Sequence, residues 1–186
     1  MIDLDSQLFQ QLYNAWGGKL TGVALFLSAL GGGWAMLGLV PMLASARLRS
    51  VAVSLALTVG TSALLVVAFK HAFARPRPCV SLPGVHALCT APTDPSFPSG
   101  HACGSFTVAA FLLTLLAASK PPSVFEKAPD RRPIAVGLLA LATAIAWSRV
   151  YLGVHFPGDV VSGAVLGVAA GAAGARLHLR HATAEA

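Results

Sequence analysis

Apolar residues fall into long runs separated by short polar stretches, and the runs predict helices that cross a membrane. The first segment, Ile2–Trp16, is short and amphipathic, with Leu4, Leu8, Leu12 and Trp16 recurring every four residues, which suits a helix lying in the membrane interface. Leu20–Ala46 carries no charge. As a helix it would be about 40 Å long, against a hydrocarbon core of ~30 Å. Gly31-Gly32-Gly33 interrupts it, so the pattern predicts one tilted or broken span, or else a re-entrant hairpin. Val51–Phe69 is a second span ending at Lys70, and a polar, proline-rich loop runs from His71 to about Ser99. Ala102–Ser119 is the third span and Lys120–Arg132 a charged connector. Ile134–Trp147 opens the fourth, which must run past Arg149 to be long enough. Val160–Leu177 is the fifth, and its Gly163, Gly167 and Gly171 at four-residue spacing mark a helix-packing face.

Composition sharpens the class. Hydrophobic residues make up 55% of the 186 residues and charged residues 11%, where a soluble domain carries roughly 25% charged residues. The chain is therefore expected to be a single integral membrane domain over 1–186, an all-α polytopic bundle of five to six transmembrane helices with an N-terminal interfacial helix. Asp3 and Asp5 stand where a cleavable signal peptide would have its basic region. The net charge of +6 comes without enough polar surface for a nucleic-acid face, and cationic loops beside a bilayer account for it better.

With five spans, Lys70–His101 and the turn Ser148–Asp159 emerge on one side. Arg47, Arg49, Lys120, Lys127, Arg131, Arg132, Arg176 and Arg180 collect on the other. The positive-inside rule makes that second side cytoplasmic, so the polar loops of this inner (plasma) membrane protein face the periplasm or exterior. Cys79 and Cys89 lie in the outward loop, where a disulfide is permitted and two free thiols are equally compatible. Cys103 begins a span and is expected to be packed.

Three stretches on the outward side carry the chemistry. Ser148–Asp159 holds Arg149, His155 and Asp159, with Pro157 suited to the first position of a helix. That places Asp159 in the first turn, within reach of His155. A carboxylate on one ring nitrogen fixes the tautomer and leaves the other nitrogen a better nucleophile or base. Lys70 closes the second span, and Pro76 and Pro78 push Arg75 and Arg77 into extended geometry. Basic residues at a helix end also snorkel to headgroups, so this stretch alone decides nothing. Phe97-Pro98-Ser99-Gly100-His101 directly precedes an apolar span. Ser99 is a good N-cap, Gly100 lets an anion approach the backbone, and His101 stands in the first turn. Together the three bring cations, a helix N-terminus and two histidines to one membrane face, a set suited to a phosphate-sized group.

The spacing Lys70, six residues, Arg77-Pro78; then Pro98-Ser99-Gly100-His101; then Ser148-Arg149, five residues, His155, three residues, Asp159 resembles the type 2 phosphatidic acid phosphatase superfamily, and the small size and proline-rich loop look most like its bacterial undecaprenyl-diphosphate phosphatases. All three motifs are complete and in order, and they span the core 70–159. The departure is at the N-terminus, where many members have six spans. The resemblance implies a lipid phosphatase in which His155 attacks phosphorus to form a phosphohistidine and Asp159 orients it. His101 protonates the leaving oxygen and then activates water. Lys70, Arg77, Arg149, Ser99 and the Gly100 N–H bind the phosphoryl oxygens. Arg75, just off the motif, is a weaker candidate for a second phosphate. The cations take the role of Mg²⁺, so no metal or other cofactor is expected. The partners expected are the lipid phosphate substrate and the bilayer, with no nucleic acid.

The substrate is expected to be undecaprenyl diphosphate, with phosphatidylglycerol phosphate, phosphatidic acid or lipid A phosphate as alternatives. A metal-binding membrane protein using His101, His155 and Asp159 would leave the three cations unexplained. A non-catalytic binder or transporter of anionic lipids would leave the His155–Asp159 pair unexplained.

Overall fold

The computed structural model describes residues 4–15, 17–46, 48–118 and 131–184. Trp16, Arg47 and most of the expected connector, with Lys120 and Lys127, lie outside the described residues. The chain is helical, in the order α1 (Leu4–Asn14), α2 (Thr21–Leu30), a 3-10 turn (Gly33–Gly38), α3 (Leu39–Ala44), α4 (Arg49–Phe73), α5 (Pro78–Ser81), α6 (Gly100–Ala117), α7 (Arg132–Tyr151) and α8 (Pro157–Ala184). No strand occurs among the described residues.

Helices α4, α6, α7 and α8 are each long and apolar enough to span a membrane. The outer faces of α4, α7 and α8 confirm that role, because Leu57, Leu64, Val136 and Val165 are all more than 60% exposed. An apolar belt of that extent suits lipid and not water. The protein is a multi-pass membrane protein. Helix ends follow local chemistry. Pro133 and Pro157 stand in the first turns of α7 and α8, where a missing N–H costs nothing. The Ser99 side chain caps α6 by accepting from the Ala102 N–H. As the sequence required, α7 runs past Arg149.

The first apolar stretch is broken, not tilted. Helix α2 has 10 residues, about 15 Å of rise and half a crossing. The glycine run then turns into the 3-10 segment and α3. The two halves still reach opposite ends of the bundle. Ser28 of α2 meets Arg149 near the end of α7, whereas Leu39 and Met42 of α3 pack with Val51, Leu55 and Leu115 at the far end. The break serves contact: a methyl on Gly31 would collide with Ile145 and come within 3.3 Å of the His101 ring.

Helices α6 and α8 form the closest pair. A Cβ on Gly163 would lie 2.5 Å from the Ser99 carbonyl oxygen, and methyls on Gly167 and Gly171 would run into the Cys103 and Thr107 carbonyls. The stripe therefore seats α8 on the α6 backbone. In a bilayer, where helix association depends on close van der Waals contact, this packing holds the two helices that carry the motif histidine and aspartate. Gly167→Val is expected to separate them and destabilise the bundle by about 1–3 kcal/mol or more. A thermal unfolding midpoint in detergent unchanged from the parent would contradict this packing.

Helix α1 carries two stripes at four-residue spacing. Leu4, Leu8 and Leu12 face outward at 70%, 42% and 40% exposure, while Phe9 is fully buried. Phe9 stacks on Tyr13 and meets Phe156 edge-on. The helix thus lies across the end of the bundle that holds the motif residues, with its leucines turned away from the protein.

Candidate active site

Among the described residues, buried charge lies at one end of the bundle. Lys70, Arg77, Arg149, His155 and Asp159 are 8%, 4%, 4%, 2% and 0% exposed. Charges withdrawn from solvent in a membrane protein mark function by default. Three of them reach the site from a helix terminus: Lys70 from the last turn of α4, Arg149 from the end of α7, Asp159 from the first turn of α8. Arg77 sits in extended backbone before α5, with φ −79° and ψ 154°, as the flanking prolines dictate. His155 occupies the turn between α7 and α8. That turn passes through Gly153, whose φ of +77° favours glycine. The Ser99 N–H donates to the Asp159 carbonyl at 2.9 Å, which locks the start of α6 to the start of α8 and brings the second and third motifs together.

The tautomer of His155 follows from its neighbours. Arg77 Nη1 lies 3.1 Å from His155 Nε2. A guanidinium only donates, so Nε2 must present its lone pair, and the ring proton belongs on Nδ1. Nδ1 faces Asp159 Oδ2 at 3.5 Å, longer than a full hydrogen bond, and makes no other. The carboxylate is held by others: Oδ2 accepts the Phe156 N–H at 2.9 Å, and Oδ1 accepts from Arg75 at 2.7 Å. Burial, the largest influence, lowers the His155 pKa to about 4. Asp159 opposes that shift, and Arg77 and Arg149 add to it. The ring is therefore neutral at physiological pH, with its Nε2 electron pair directed at Arg77.

Around that nitrogen the cations are arranged unequally. Arg77 also donates through Nη1 to the Val154 carbonyl at 2.7 Å and through Nε to the Asp94 carbonyl at 2.8 Å. Lys70 donates to the Pro95 carbonyl. Asp94 bridges Lys70 and Arg77 at 2.8 and 2.9 Å. Burial raises the Asp94 pKa, but the hydrogen bonds and charges of Lys70 and Arg77 outweigh it and hold the carboxyl down at about 2. Arg149 donates to the Ser28 hydroxyl, and its buried Nε has no partner. His101 lies within electrostatic reach of Arg149, His155 and Arg77. An anion with several oxygens would complete this set.

The structure brings Lys70, Arg77, Ser99, Gly100, His101, Arg149, His155 and Asp159 to one end of the bundle. Arg75, the weaker candidate, has its guanidinium divided between Asp159 and Asp5 and stacked on Phe156, so in this structure it holds the site's frame. Cys79 and Cys89 are free thiols, and Cys103 is buried as expected. No group of three or more His, Cys, Asp or Glu among the described residues is placed to hold a metal ion.

Sequence reasoning missed Asp94, Asp5 and Ser28. Asp94 had one signal, being the only acid between Lys70 and His101. Asp5, Asp94 and Asp159 are also the only acids among the described residues, and all three serve this network.

A cavity of about 460 Å³ opens beside His101 and runs between α4, α6 and α7. Val66, Val108, Leu138, Leu141 and Ile145 line it. Apart from His101, Ser62 and Ser105 its lining is apolar, which matches a molecule with a charged head and a hydrocarbon body.

Comparison with known proteins gives a coherent set. A family model described as the PAP2 superfamily matches residues 51–182. An undecaprenyl-diphosphatase of Sulfolobus acidocaldarius is 29% identical over 169 residues, 89% of this chain and 74% of that protein. A lipid A 4'-phosphatase of Bacteroides thetaiotaomicron is 38% identical over 71 residues, 38% of this chain and 26% of that protein. The crystal structure of Aquifex aeolicus LpxE superposes with a TM-score of 0.77 at 29% identity, covering 94% of this chain and 96% of that one.

Proposed function

Since the chain belongs to the PAP2 superfamily and is a membrane-embedded lipid phosphatase, we propose that its substrate is undecaprenyl diphosphate, cleaved at the outward face of the inner membrane through a phosphohistidine. The observation that carries the substrate is the likeness to the Sulfolobus undecaprenyl-diphosphatase, which extends over 89% of the chain. The likeness to the lipid A 4'-phosphatase covers 71 residues, while that to LpxE has the same 29% identity over 94% of the chain, so a parallel assay of the lipids decides the substrate. The apolar cavity beside His101 supports a long hydrocarbon chain entering sideways from the bilayer. Outward orientation is supported by Arg49, Arg131 and Arg176 lying at the bundle end opposite the site.

In this reading His155 Nε2 attacks phosphorus in line with the leaving oxygen. The P–O bond breaks as the N–P bond forms, and His101 gives the leaving oxygen its proton. The imidazole becomes cationic on phosphorylation, and Asp159 beside Nδ1 stabilises that charge. Lys70, Arg77 and Arg149 hold the equatorial oxygens, where charge must be met in the transition state, with Ser99 and the Gly100 N–H adding hydrogen bonds. Water, deprotonated by His101, then cleaves the N–P bond and releases phosphate. The binding of phosphate displaces the Asp94 carboxylate from Lys70 and Arg77 and draws Arg77 Nη1 from Nε2 onto a phosphoryl oxygen, which frees the attacking electron pair.

The test is phosphate release by detergent-purified protein offered undecaprenyl diphosphate, phosphatidylglycerol phosphate, phosphatidic acid and lipid A in parallel, each with and without EDTA. Undecaprenyl diphosphate is expected to give the highest kcat/KM. EDTA should leave the rate unchanged, because three side-chain cations supply the positive charge. Preference for another lipid would reassign the substrate, and loss of activity with EDTA would overturn the metal-independent mechanism.

A further inference from the structure

We propose that Asp5, on the amphipathic N-terminal helix, is a positioning residue for the reaction, acting through Arg75 on the Asp159–His155 pair; this rests on the reading of His155 as the nucleophile. The two Asp5 carboxylate oxygens have separate tasks. Oδ1 accepts the Gly158 N–H at 2.8 Å, at the start of α8. Oδ2 accepts from Arg75 Nη2 at 2.8 Å. The other terminal nitrogen of Arg75, Nη1, donates to Asp159 Oδ1 at 2.7 Å, and the guanidinium lies 4.1 Å over the Phe156 ring. Asp159 Oδ2 is left for the Phe156 N–H and for Nδ1 of His155.

The geometry makes Arg75 a balanced clamp. Between two carboxylates it pulls on Asp159 with one nitrogen only. A single carboxylate invites both nitrogens in a bidentate pair, so without Asp5 the guanidinium would close on Asp159 and compete with His155 for Oδ2. The 3.5 Å separation between Oδ2 and Nδ1 leaves no margin for such a move. Gly158 adds an independent constraint, since a Cβ there would lie 2.8 Å from Asp5 Oδ2; the helix start is shaped to receive this carboxylate. Anchoring comes from the same stripe of α1, where Phe9 is buried against Phe156 and Tyr13 donates to the His86 carbonyl at 2.9 Å. Leu4, Leu8 and Leu12, one residue behind Asp5, Phe9 and Tyr13, face outward. A helix seated at the membrane interface thereby fixes the orientation of the catalytic imidazole.

Asp5→Asn keeps an acceptor for Gly158 and removes the charge opposite Arg75. It is expected to lower kcat about tenfold, within the range for neighbours in one hydrogen-bond network, with KM unchanged. In an Arg75→Gln background the same change should have no further effect on kcat, because the route runs through Arg75. A multiplicative loss in the double variant, or an unaltered kcat in Asp5→Asn, would overturn the proposal. A second readout needs no turnover. With ¹⁵N-labelled histidine, the His155 Nδ1–H of the parent should resonate downfield, as a proton facing the Asp159 carboxylate, and Asp5→Asn should move it upfield as Arg75 takes that oxygen. An identical Nδ1–H resonance in both proteins would also overturn it. A parent protein that releases no phosphate from any lipid refutes the phosphatase mechanism, and the imidazole measurement still decides the role of Asp5.

Discussion

His155→Ala should lose phosphate release by at least about 10⁴-fold, the scale seen when a covalent nucleophile is removed. Three observations converge on this residue. Its Nε2 presents a lone pair to Arg77, its Nδ1 faces Asp159, and it is buried among the site's cations. The fold should survive the change, because Asp159 keeps its bonds to Arg75 and the Phe156 N–H. Equal thermal midpoints in detergent for parent and variant would establish that.

The parent, quenched in base during turnover, should carry a phosphoryl group on His155, and His155→Gln should carry none. The pH profile provides the sign. Burial places the pKa near 4, below the ordinary 6.5. Protonation consumes the nucleophile, so the acid limb that His155 sets on kcat/KM should appear as pH falls through about 4. An acid limb near 6.5 would mean that the ring is solvated in the working enzyme. Activity within tenfold of the parent in His155→Ala would eliminate the nucleophilic role.

Arg77→Lys is expected to cost about 10²–10³ in kcat/KM, comparable to removing one preorganised donor from a transition-state oxyanion. The guanidinium donates at once to the Asp94 carbonyl and carboxylate and to Val154, and one terminal nitrogen stands at the nucleophile. A lysine keeps the charge but cannot reach these directions together, since an ammonium is a single point on a flexible stem. Lys70→Ala should do less harm, because Lys70 contacts Asp94 and the Pro95 carbonyl and is not in contact with the imidazole. Rates measured beside thermal midpoints separate catalysis from folding. If Arg77→Lys retained activity within tenfold, the fork geometry at His155 would be irrelevant to the reaction.

The local rules of helix ends made much of this protein legible in its sequence. Pro157 starts α8 and so places Asp159 in its first turn, Ser99 caps α6 and so places His101, and Pro76 and Pro78 hold the backbone of Arg77 extended. Those effects reach only a few residues along the chain, so a motif written in the sequence carries its own geometry. The membrane class was equally plain, since runs with no charge have no stable home in water. The glycine stripe of α8 showed that a close partner existed, but not that the partner was α6.

Tertiary structure alone decided the long-range pairings. Asp5 meets Gly158 across 153 residues, Arg75 meets Asp159 across 84, and Arg149 meets Ser28 across 121. The apolar faces that bring these segments together are built of the same few residue types and do not encode partners by spacing. For that reason Arg75 reads in sequence as another phosphate ligand, while in the fold two carboxylates claim it. Likewise the leucine stripe of α1 is the visible pattern, yet its neighbouring stripe of Asp5, Phe9 and Tyr13 reaches the site. Which stripe faces inward depends on what the bundle presents, and that surface exists only once the helices have packed.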